Sequence, residues 1–288
     1  MFARATIVEE NKLLRRWLLW ILVAMLGGVT FLTVVLGYFD ISGMIRSAGG
    51  TLPPEAQGYL DRITWPGAVA NAFDGNLIVM SAMMMIVLVG AVMAQEYDWR
   101  TLQLWLSRGL PRPVLFGAKI GALLVPVLLL ALAPFVAAIV PSGVVTSLLA
   151  EHLADAEPLA AGQIALSILR TAYVLLFYVA LTVTLAVVTR SVVFAIGGGI
   201  VFDLLFNNLV FNLLANAGRG WLKLATFFPR GLTIPIVEQN RVTAAPLADP
   251  GLGSEFFAPG PAALLLGAYI VVLLGVSLAV FMRQDLSG

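Results

Sequence analysis

The sequence predicts an all-α membrane protein that crosses the bilayer six times. Of its 288 residues, 60% are hydrophobic and only 11% are charged, against about 25% charged residues in an ordinary soluble domain. A water-soluble globule of this composition lacks the polar groups to cover its apolar core, and a disordered chain would not be so apolar. Six apolar stretches each reach the length of about 20 residues that a helix needs to cross the hydrocarbon core. The sequence therefore excludes a soluble enzyme and a soluble binding module.

The six predicted spans form one transmembrane domain over residues 1–288 and are separated by segments of unequal length. The spans are predicted at residues 17–39, 75–94, 114–140, 164–189, 192–214 and 262–282. Only Arg190 and Ser191 separate spans four and five. The apolar run of the first span is longer than that of a signal peptide, and no small-residue cleavage site follows it, so we expect it to remain as a span.

The distribution of lysine and arginine predicts that both termini face the cytoplasm. Ten of the 17 basic residues lie in or beside the N-terminal segment, the loop at 95–113, the turn after span four and the C-terminal tail. Six lie in the longer loops on the opposite side, and Arg170 lies just inside span four. Because basic loops stay on the cytoplasmic side, we expect a multi-pass protein of the cytoplasmic (inner) membrane.

Two of the outer segments are expected to be more than irregular loops. Residues 53–63 begin with two prolines and are predicted to form a short helix, since proline suits the first helical turn. Residues 220–236 are too apolar for a solvated loop, and Pro229 and Pro235 interrupt them too often for a span. We therefore predict that the outer region at 215–261 is re-entrant or lies flat at the outer face.

The sequence lacks the residue patterns of nucleotide, metal or hydrolytic chemistry. It contains no G-x-x-x-x-G-K-[ST] phosphate-binding loop, and we expect the glycine run at 197–199 to let helices approach closely. It has no cysteine and a single histidine, His152, which excludes disulfides and sites with several Cys or His ligands. We expect no catalytic residue, no metal and no cofactor in this chain. A net charge of +1 gives no reason to expect a nucleic-acid partner.

Asp203 is the one carboxylate that lies deep in a predicted span, about 16 Å from Val192 at 1.5 Å per residue. Asn207 and Asn208 follow it at i+4 and i+5, so the three residues form a polar stripe on one side of span five. Ionisable residues inside a membrane are costly and are usually functional. The stripe either lines a translocation path or forms a hydrogen-bonded cluster between helices, including helices of two copies.

The loop at 95–113 is the most informative segment of the sequence. Its apolar residues have the i, i+3, i+7 spacing of a short amphipathic helix on the membrane surface: Trp99, Leu102 and Leu106. Glu96 and Asp98 accompany the arginines of this loop, so attraction to anionic lipids alone does not account for it. The alternative is a helix on which a cytoplasmic partner docks.

This loop resembles that of the ABC-2-type transporter permeases, the membrane subunits of ATP-driven exporters. The residues that carry the resemblance are Glu96, Tyr97, Trp99, Thr101, Ser107, Arg108, Gly109, Arg112 and the element Gly117-Ala118-Lys119. The chain departs from that family at Arg100, where glycine is usual. The six spans, the short turn after span four and the region before span six extend the resemblance. The segment at 1–16 corresponds to an interfacial helix of that family.

The resemblance implies a mechanical role for a chain that is not itself an enzyme. A separate cytoplasmic ATPase subunit would bind ATP and Mg²⁺ and dock on the loop, and a second permease copy or a paralogue would complete a path for a hydrophobic or amphiphilic substrate. The expected docking residues are Glu96, Asp98, Trp99, Arg100, Thr101, Arg108 and Arg112. Membrane lipids are the remaining partner, and Arg112 and Lys119 are alternatively expected to hold lipid phosphates.

Two other functions stay open at the level of the sequence. An ion-coupled secondary transporter would be built from inverted repeats, whereas the two three-span halves here differ, with a long polar loop in one and a two-residue turn in the other. A membrane assembly or anchor subunit would share the docking loop but would form no path between protomers.

Overall fold

The computed structural model describes residues 2–53, 56–72, 75–98, 105, 109, 111–153, 161–240 and 256–284. Within these ranges the chain consists of helices, turns and short connections and contains no strand. Six of the described helices are long and apolar enough to cross a membrane. The predicted fold class, an all-α membrane protein with six spans, is confirmed.

The described helices are α1 (Phe2–Leu14), α2 (Trp17–Ser47), α3 (Gln57–Ile63), α4 (Gly67–Asn71), α5 (Gly75–Asp98), α6 (Arg112–Leu148), α7 (Ala161–Thr189), α8 (Val192–Asn216), α9 (Arg219–Ala225), α10 (Pro229–Glu238) and α11 (Pro259–Arg283). The spans are α2, α5, α6, α7, α8 and α11. The predicted N-terminal interfacial helix corresponds to α1, and two residues separate it from the first span.

The spans α5 and α7 form the centre of the bundle. In each of them 72% of the apolar window is buried inside the chain, compared with 17% in α11 and 22% in α8. A helix that is apolar all round but exposes most of its surface requires another apolar phase or a partner around it. The exposed faces of α8 and α11 therefore meet lipid or a second chain.

Reciprocal glycine contacts hold α5 closely against α8. A Cβ atom on Gly90 would lie 2.5 Å from Cγ1 of Ile196, and a Cβ on Gly199 would lie 2.6 Å from Cγ2 of Ile86. Each isoleucine thus fills the space that the glycine of the other helix leaves open. The prediction that the glycine run at 197–199 allows close helix packing is confirmed at Gly199.

Two spans extend well beyond their predicted outer ends. The predicted first span ended at residue 39, but α2 has 31 residues, or about 46 Å. The predicted third span ended at residue 140, but α6 has 37 residues, or about 55 Å, against a hydrocarbon core of about 30 Å. Their extensions pack with α3 and α4 into a small second core that contains Ile41, Leu60 and Val145. The helix predicted near 53–63 is α3, and this packing explains why it forms.

The short helices α9 and α10 form a re-entrant hairpin before the last span. Its tip, Phe227 to Pro229, lines the same cavity as Phe202 of α8, which lies ten residues from Val192, or about 15 Å into the membrane. The hairpin closes tightly at Gly231, where a Cβ would lie 2.5 Å from the carbonyl oxygen of Ala225. The predicted outer region is therefore re-entrant over these helices rather than flat.

Candidate functional site

Four charged side chains meet where α1 crosses the end of α5 and the beginning of α6. Glu9 and Lys12 come from α1, Glu96 from the last turn of α5, and Lys119 from the second turn of α6. Lys12 Nζ lies 3.0 Å from Glu9 Oε1 and 3.3 Å from Glu96 Oε1. Lys119 Nζ lies 3.4 Å from Glu9 Oε2 and also pairs with Glu96. We call these four residues the loop-side cluster.

The loop-side cluster is mostly shielded from its surroundings. The side chains of Glu9, Glu96 and Lys119 are only 7%, 5% and 5% exposed, while Lys12 is 39% exposed. Two carboxylates and two ammonium groups give no net formal charge, and each carboxylate pairs with both lysines. A buried group of this kind tolerates little change, because removing one partner leaves an uncompensated charge in a low-dielectric site.

Small residues of α6 allow α1 to lie close enough to form this cluster. A Cβ on Gly117 would lie 3.1 Å from the ring of Phe2, and a Cβ on Gly121 would lie 3.4 Å from the methyl group of Thr6. The two glycines are one helical turn apart and present a flat face to α1. The Gly117-Ala118-Lys119 element thus places a charged residue between two positions of close approach.

Further contacts join the 95–113 loop to α1 and to the short connection that follows it. Arg16 Nη1 donates a hydrogen bond of 2.9 Å to Oε1 of Gln95, and Lys12 Nζ lies 5.8 Å from the ring centroid of Trp105. Contrary to the sequence prediction, residues 95–98 continue the span, since α5 extends to Asp98. The predicted docking residues Trp99, Arg100, Thr101 and Arg108 lie outside the described residues.

Arg112 binds the end of the last span. Its Nη1 donates hydrogen bonds of 2.8 Å and 2.9 Å to the carbonyl oxygens of Met282 and Gln284. The side chain of Gln284 accepts a hydrogen bond from Tyr97 at 3.2 Å and donates one to the carbonyl of Val187 at 2.6 Å. A guanidinium beside the last carbonyls of a helix also interacts favourably with the helix dipole. The end of α11 is thus joined to α5, α6 and α7.

These contacts change the expected roles of three residues. Glu96 was expected to face a partner, but its carboxylate is buried and paired within the chain. Lys119 was alternatively expected to hold a lipid phosphate, which is wrong because it is buried in the loop-side cluster. The guanidinium of Arg112 binds the end of α11 instead of projecting from the loop.

A second polar group lies in the middle of the membrane, where part of α8 is a π-helix. The π segment covers Phe202–Val210, and such segments are frequent at functional sites. Tyr178 of α7 donates a hydrogen bond of 3.1 Å to Oδ1 of Asp203, and Asn207 Nδ2 donates one of 3.0 Å to the same oxygen. Asn208 Nδ2 donates one of 3.0 Å to the backbone carbonyl of Asp203.

Arg230 joins the re-entrant hairpin to this group. It lies one residue after the hairpin tip, donates a hydrogen bond through Nη1 to Oδ1 of Asn208, and lies 5.6 Å from the ring centroid of Phe211. The amide of Asn208 therefore connects the guanidinium to the backbone of Asp203. We call Tyr178, Asp203, Asn207, Asn208 and Arg230 the mid-membrane network.

The mid-membrane network lies within one chain. Asp203 and Asn207 are 0% and 1% exposed, and their hydrogen-bond partners belong to α7 and α8. Of the two roles that the sequence left open, this arrangement matches a hydrogen-bonded cluster between helices. Asn208 beside them is half-buried.

Sequence reasoning missed four residues of these two groups. The i, i+3 spacing of Glu9 and Lys12 was visible within the predicted N-terminal helix, but their pairing partners were not. Tyr178 lies outside the polar stripe that the sequence predicted. Arg230 directly follows Phe227-Phe228-Pro229, and a cation beside an apolar re-entrant turn is the signal that would have found it.

The helices and the two polar groups define a six-span α-helical membrane protein with a re-entrant hairpin and two internal charge networks. The chain belongs to the family described as "Protein of unknown function (DUF2705)", whose model matches residues 55–287. No curated protein matches the chain in a sequence comparison.

Proposed function

We propose that this chain is the permease subunit of an ATP-driven exporter of the ABC-2 type. A separate cytoplasmic ATPase docks on the 95–113 loop, and two permease subunits move a hydrophobic or amphiphilic substrate across the cytoplasmic membrane. Both termini and the loop are cytoplasmic in this proposal. The loop motif and the order of spans support it, together with the re-entrant hairpin before the last span.

The loop-side cluster is the observation that carries the proposal. It binds α1 to both flanks of the loop, since Glu96 lies three residues before the loop residue Trp99 and Lys119 lies seven residues after Arg112. A displacement of the loop by a docked ATPase would therefore move α1, α5 and α6 together. Such coupling shifts the population between two arrangements of the spans, and the partner supplies the energy.

The residues of the loop divide into two roles in this proposal. Asp98, Trp99, Arg100, Thr101 and Arg108 are the proposed direct contacts with the ATPase. Glu96 and Arg112 are positioning residues, because their side chains bind α1, α6 and α11 within the chain. A change at a positioning residue is expected to weaken coupling while the ATPase remains bound.

An ion-coupled transporter is the second candidate, and one observation favours it. Oδ2 of Asp203 and Oδ1 of Asn207 are buried and accept no hydrogen bond from the described residues. Buried polar atoms are normally partnered, so two acceptors in mid-membrane are suited to a proton, a water or a monovalent cation. Proton or sodium flux into liposomes that contain this chain alone would favour this candidate over the exporter.

Affinity purification of the tagged full chain in mild detergent, with mass-spectrometric identification of its partners, tests the exporter proposal. We expect an ATP-binding subunit in equal amount with the chain. Arg108→Glu should lose this partner, whereas the matched change Arg62→Glu, on the exposed side of α3, should retain it. A chain that purifies alone or with partners that are not ATPases would contradict the proposal.

A further inference from the structure

An aromatic cavity lies where the tip of the re-entrant hairpin meets three spans. Its volume is about 360 Å³, within the range of about 300–1,000 Å³ that is usual for small-molecule sites. Phe177 of α7, Phe202 of α8 and Tyr269 of α11 form its inner wall, and Phe227 and Phe228 of the hairpin tip close it. Leucines and Pro229 complete the lining.

The lining of this cavity is suited to a hydrocarbon and to little else. No lining residue carries a charge, and the hydroxyl of Tyr269 already donates to the carbonyl of Phe227 at 3.3 Å. The rings are held against one another: Phe177 lies 6.3 Å from Phe202 and 6.4 Å from Tyr269 between centroids. A sugar, a peptide or an ion would lose its hydration here without gaining hydrogen bonds.

The cavity opens on the exposed surface of the helices that line it. Three of its lining residues, Leu224, Phe227 and Tyr269, are 51%, 50% and 41% exposed. The deep wall at Phe202 lies about 15 Å from the start of α8, near the middle of the hydrocarbon core. The molecules that surround such an opening are lipids, whose acyl chains have the chemistry of the lining.

The helix above the opening has the features of a headgroup site. Trp221 is exposed and lies three residues before Leu224, so both lie on one face of α9, and tryptophan is favoured at the membrane interface. Lys223 is also exposed, and α9 contains Arg219 and Lys223 but no acidic residue. A basic helix at an interface attracts anionic lipid headgroups.

We propose that this cavity binds one acyl chain of an anionic phospholipid, whose phosphate lies at α9 beside Trp221 and Lys223. The site belongs to this chain alone and needs neither ATP nor an ATPase partner. Its failure would leave the exporter proposal standing, and the absence of an ATPase would leave the lipid site standing.

Photocrosslinking of the purified full chain with a phosphatidylglycerol that carries a diazirine on one acyl chain tests this site. We expect the labelled peptides to include Phe202 and the segment at 269–273, with unlabelled phosphatidylglycerol competing. Leu273→Trp should fill the cavity and reduce this labelling several-fold, and Phe194→Trp, on an exposed face of α8, should not. Equal labelling at Phe194 and Phe202, without competition, would overturn the proposal.

Two further comparisons keep the test decisive if Leu273→Trp does not fold. The wild-type chain should label more strongly with phosphatidylglycerol than with a phosphatidylcholine of identical chains, and Lys223→Gln should remove that preference. Equal labelling by both lipids in the wild-type chain would overturn the headgroup assignment. Labelling restricted to residues outside the cavity would overturn the acyl-chain assignment.

Discussion

The loop-side cluster and the mid-membrane network both place charges inside the bundle, but they neutralise them differently. In the loop-side cluster two lysines pair directly with two carboxylates, and three helices share these contacts. In the mid-membrane network the carboxylate of Asp203 accepts hydrogen bonds from Tyr178 and Asn207. Arg230 does not pair with it directly, since the amide of Asn208 lies between Arg230 and the backbone carbonyl of Asp203.

This difference predicts that the loop-side cluster holds its helices together more strongly than the mid-membrane network holds the hairpin to α8. The folded protein is strongly destabilised when one partner of a buried ion pair is lost, because the other charge stays buried without compensation. Side-chain hydrogen bonds between membrane helices contribute less to stability, about 0.6 kcal/mol on average in double-mutant cycles. We infer that α1, α5 and α6 move as one body at the loop, and that the hairpin can release from α8 at a smaller cost.

The largest expected effect comes from removing the buried lysine of the loop-side cluster. Lys119→Met leaves Glu9 and Glu96 with the partly exposed Lys12 as their remaining partner in the cluster. The free energy of unfolding should fall by about 3–5 kcal/mol, measured by thermal or denaturant unfolding in detergent. The matched change Lys12→Met, at a 39% exposed side chain, should cost about 1 kcal/mol or less. Equal losses would show that burial does not decide the contribution of these lysines.

The next effect concerns the attachment of the hairpin. Arg230→Leu removes the donor to Asn208 and should lower stability by about 1–3 kcal/mol. Hydrogen exchange should rise over residues 219–238 and stay unchanged in α1. The matched control is Lys223→Leu, which removes another hairpin cation at an exposed position. Unchanged exchange in Arg230→Leu would mean that apolar packing alone holds the hairpin.

A smaller effect is expected for the hydroxyl of Tyr178. Tyr178→Phe keeps the ring in place and removes the hydrogen bonds that the hydroxyl donates to Asp203 and accepts from Asn207, so the free energy of unfolding should fall by about 1 kcal/mol. Tyr59→Phe, at a partly exposed ring of α3, serves as the control and should be neutral. A loss of stability as large as that of Lys119→Met would show that the two groups hold their helices equally strongly.

The last prediction concerns the side of the membrane that each loop faces, and the substitutions that test it should not change stability. Because the chain has no cysteine, a single cysteine at Ser47 or at Ser107 reports on its own position. The cysteine at Ser47 should react with an impermeant thiol reagent added to intact cells, and the one at Ser107 should react only after permeabilisation. The reverse pattern would place the loop-side cluster on the outer side and contradict the exporter proposal.

The sequence was sufficient to predict the fold, because apolar runs of span length have few other uses. That this outer region is neither a span nor a solvated loop was also predictable, since Pro229 and Pro235 interrupt an apolar segment that cannot stay in water. The choice between a re-entrant and a flat arrangement was not. The extension of α2 and α6 was not predictable, because it depends on packing with α3 and α4. Apolar length alone marks the part of a helix that lies in the membrane, not where the helix ends.

The candidate site was predicted in part. Asp203 and Asn207 were identified from their spacing, but the choice between a path and a packed cluster depended on Tyr178, which lies 25 residues earlier in the chain. Glu96 was assigned to a partner because its loop is rich in charge. Its pairing with Lys12, 84 residues away, could not be recognised from local sequence, since it requires the position of α1 on α6.

We infer that the loop-side cluster transmits a displacement of the loop to α1. The most direct test is hydrogen exchange of the purified complex with the proposed ATPase, compared with and without ATP, in the wild type and in Glu96→Gln. We expect ATP to change exchange in α1 and in the first turns of α6. We expect Glu96→Gln to lose the change in α1 while the ATPase stays bound. An ATP-dependent change confined to the loop, or one that persists in α1 of Glu96→Gln, would contradict it.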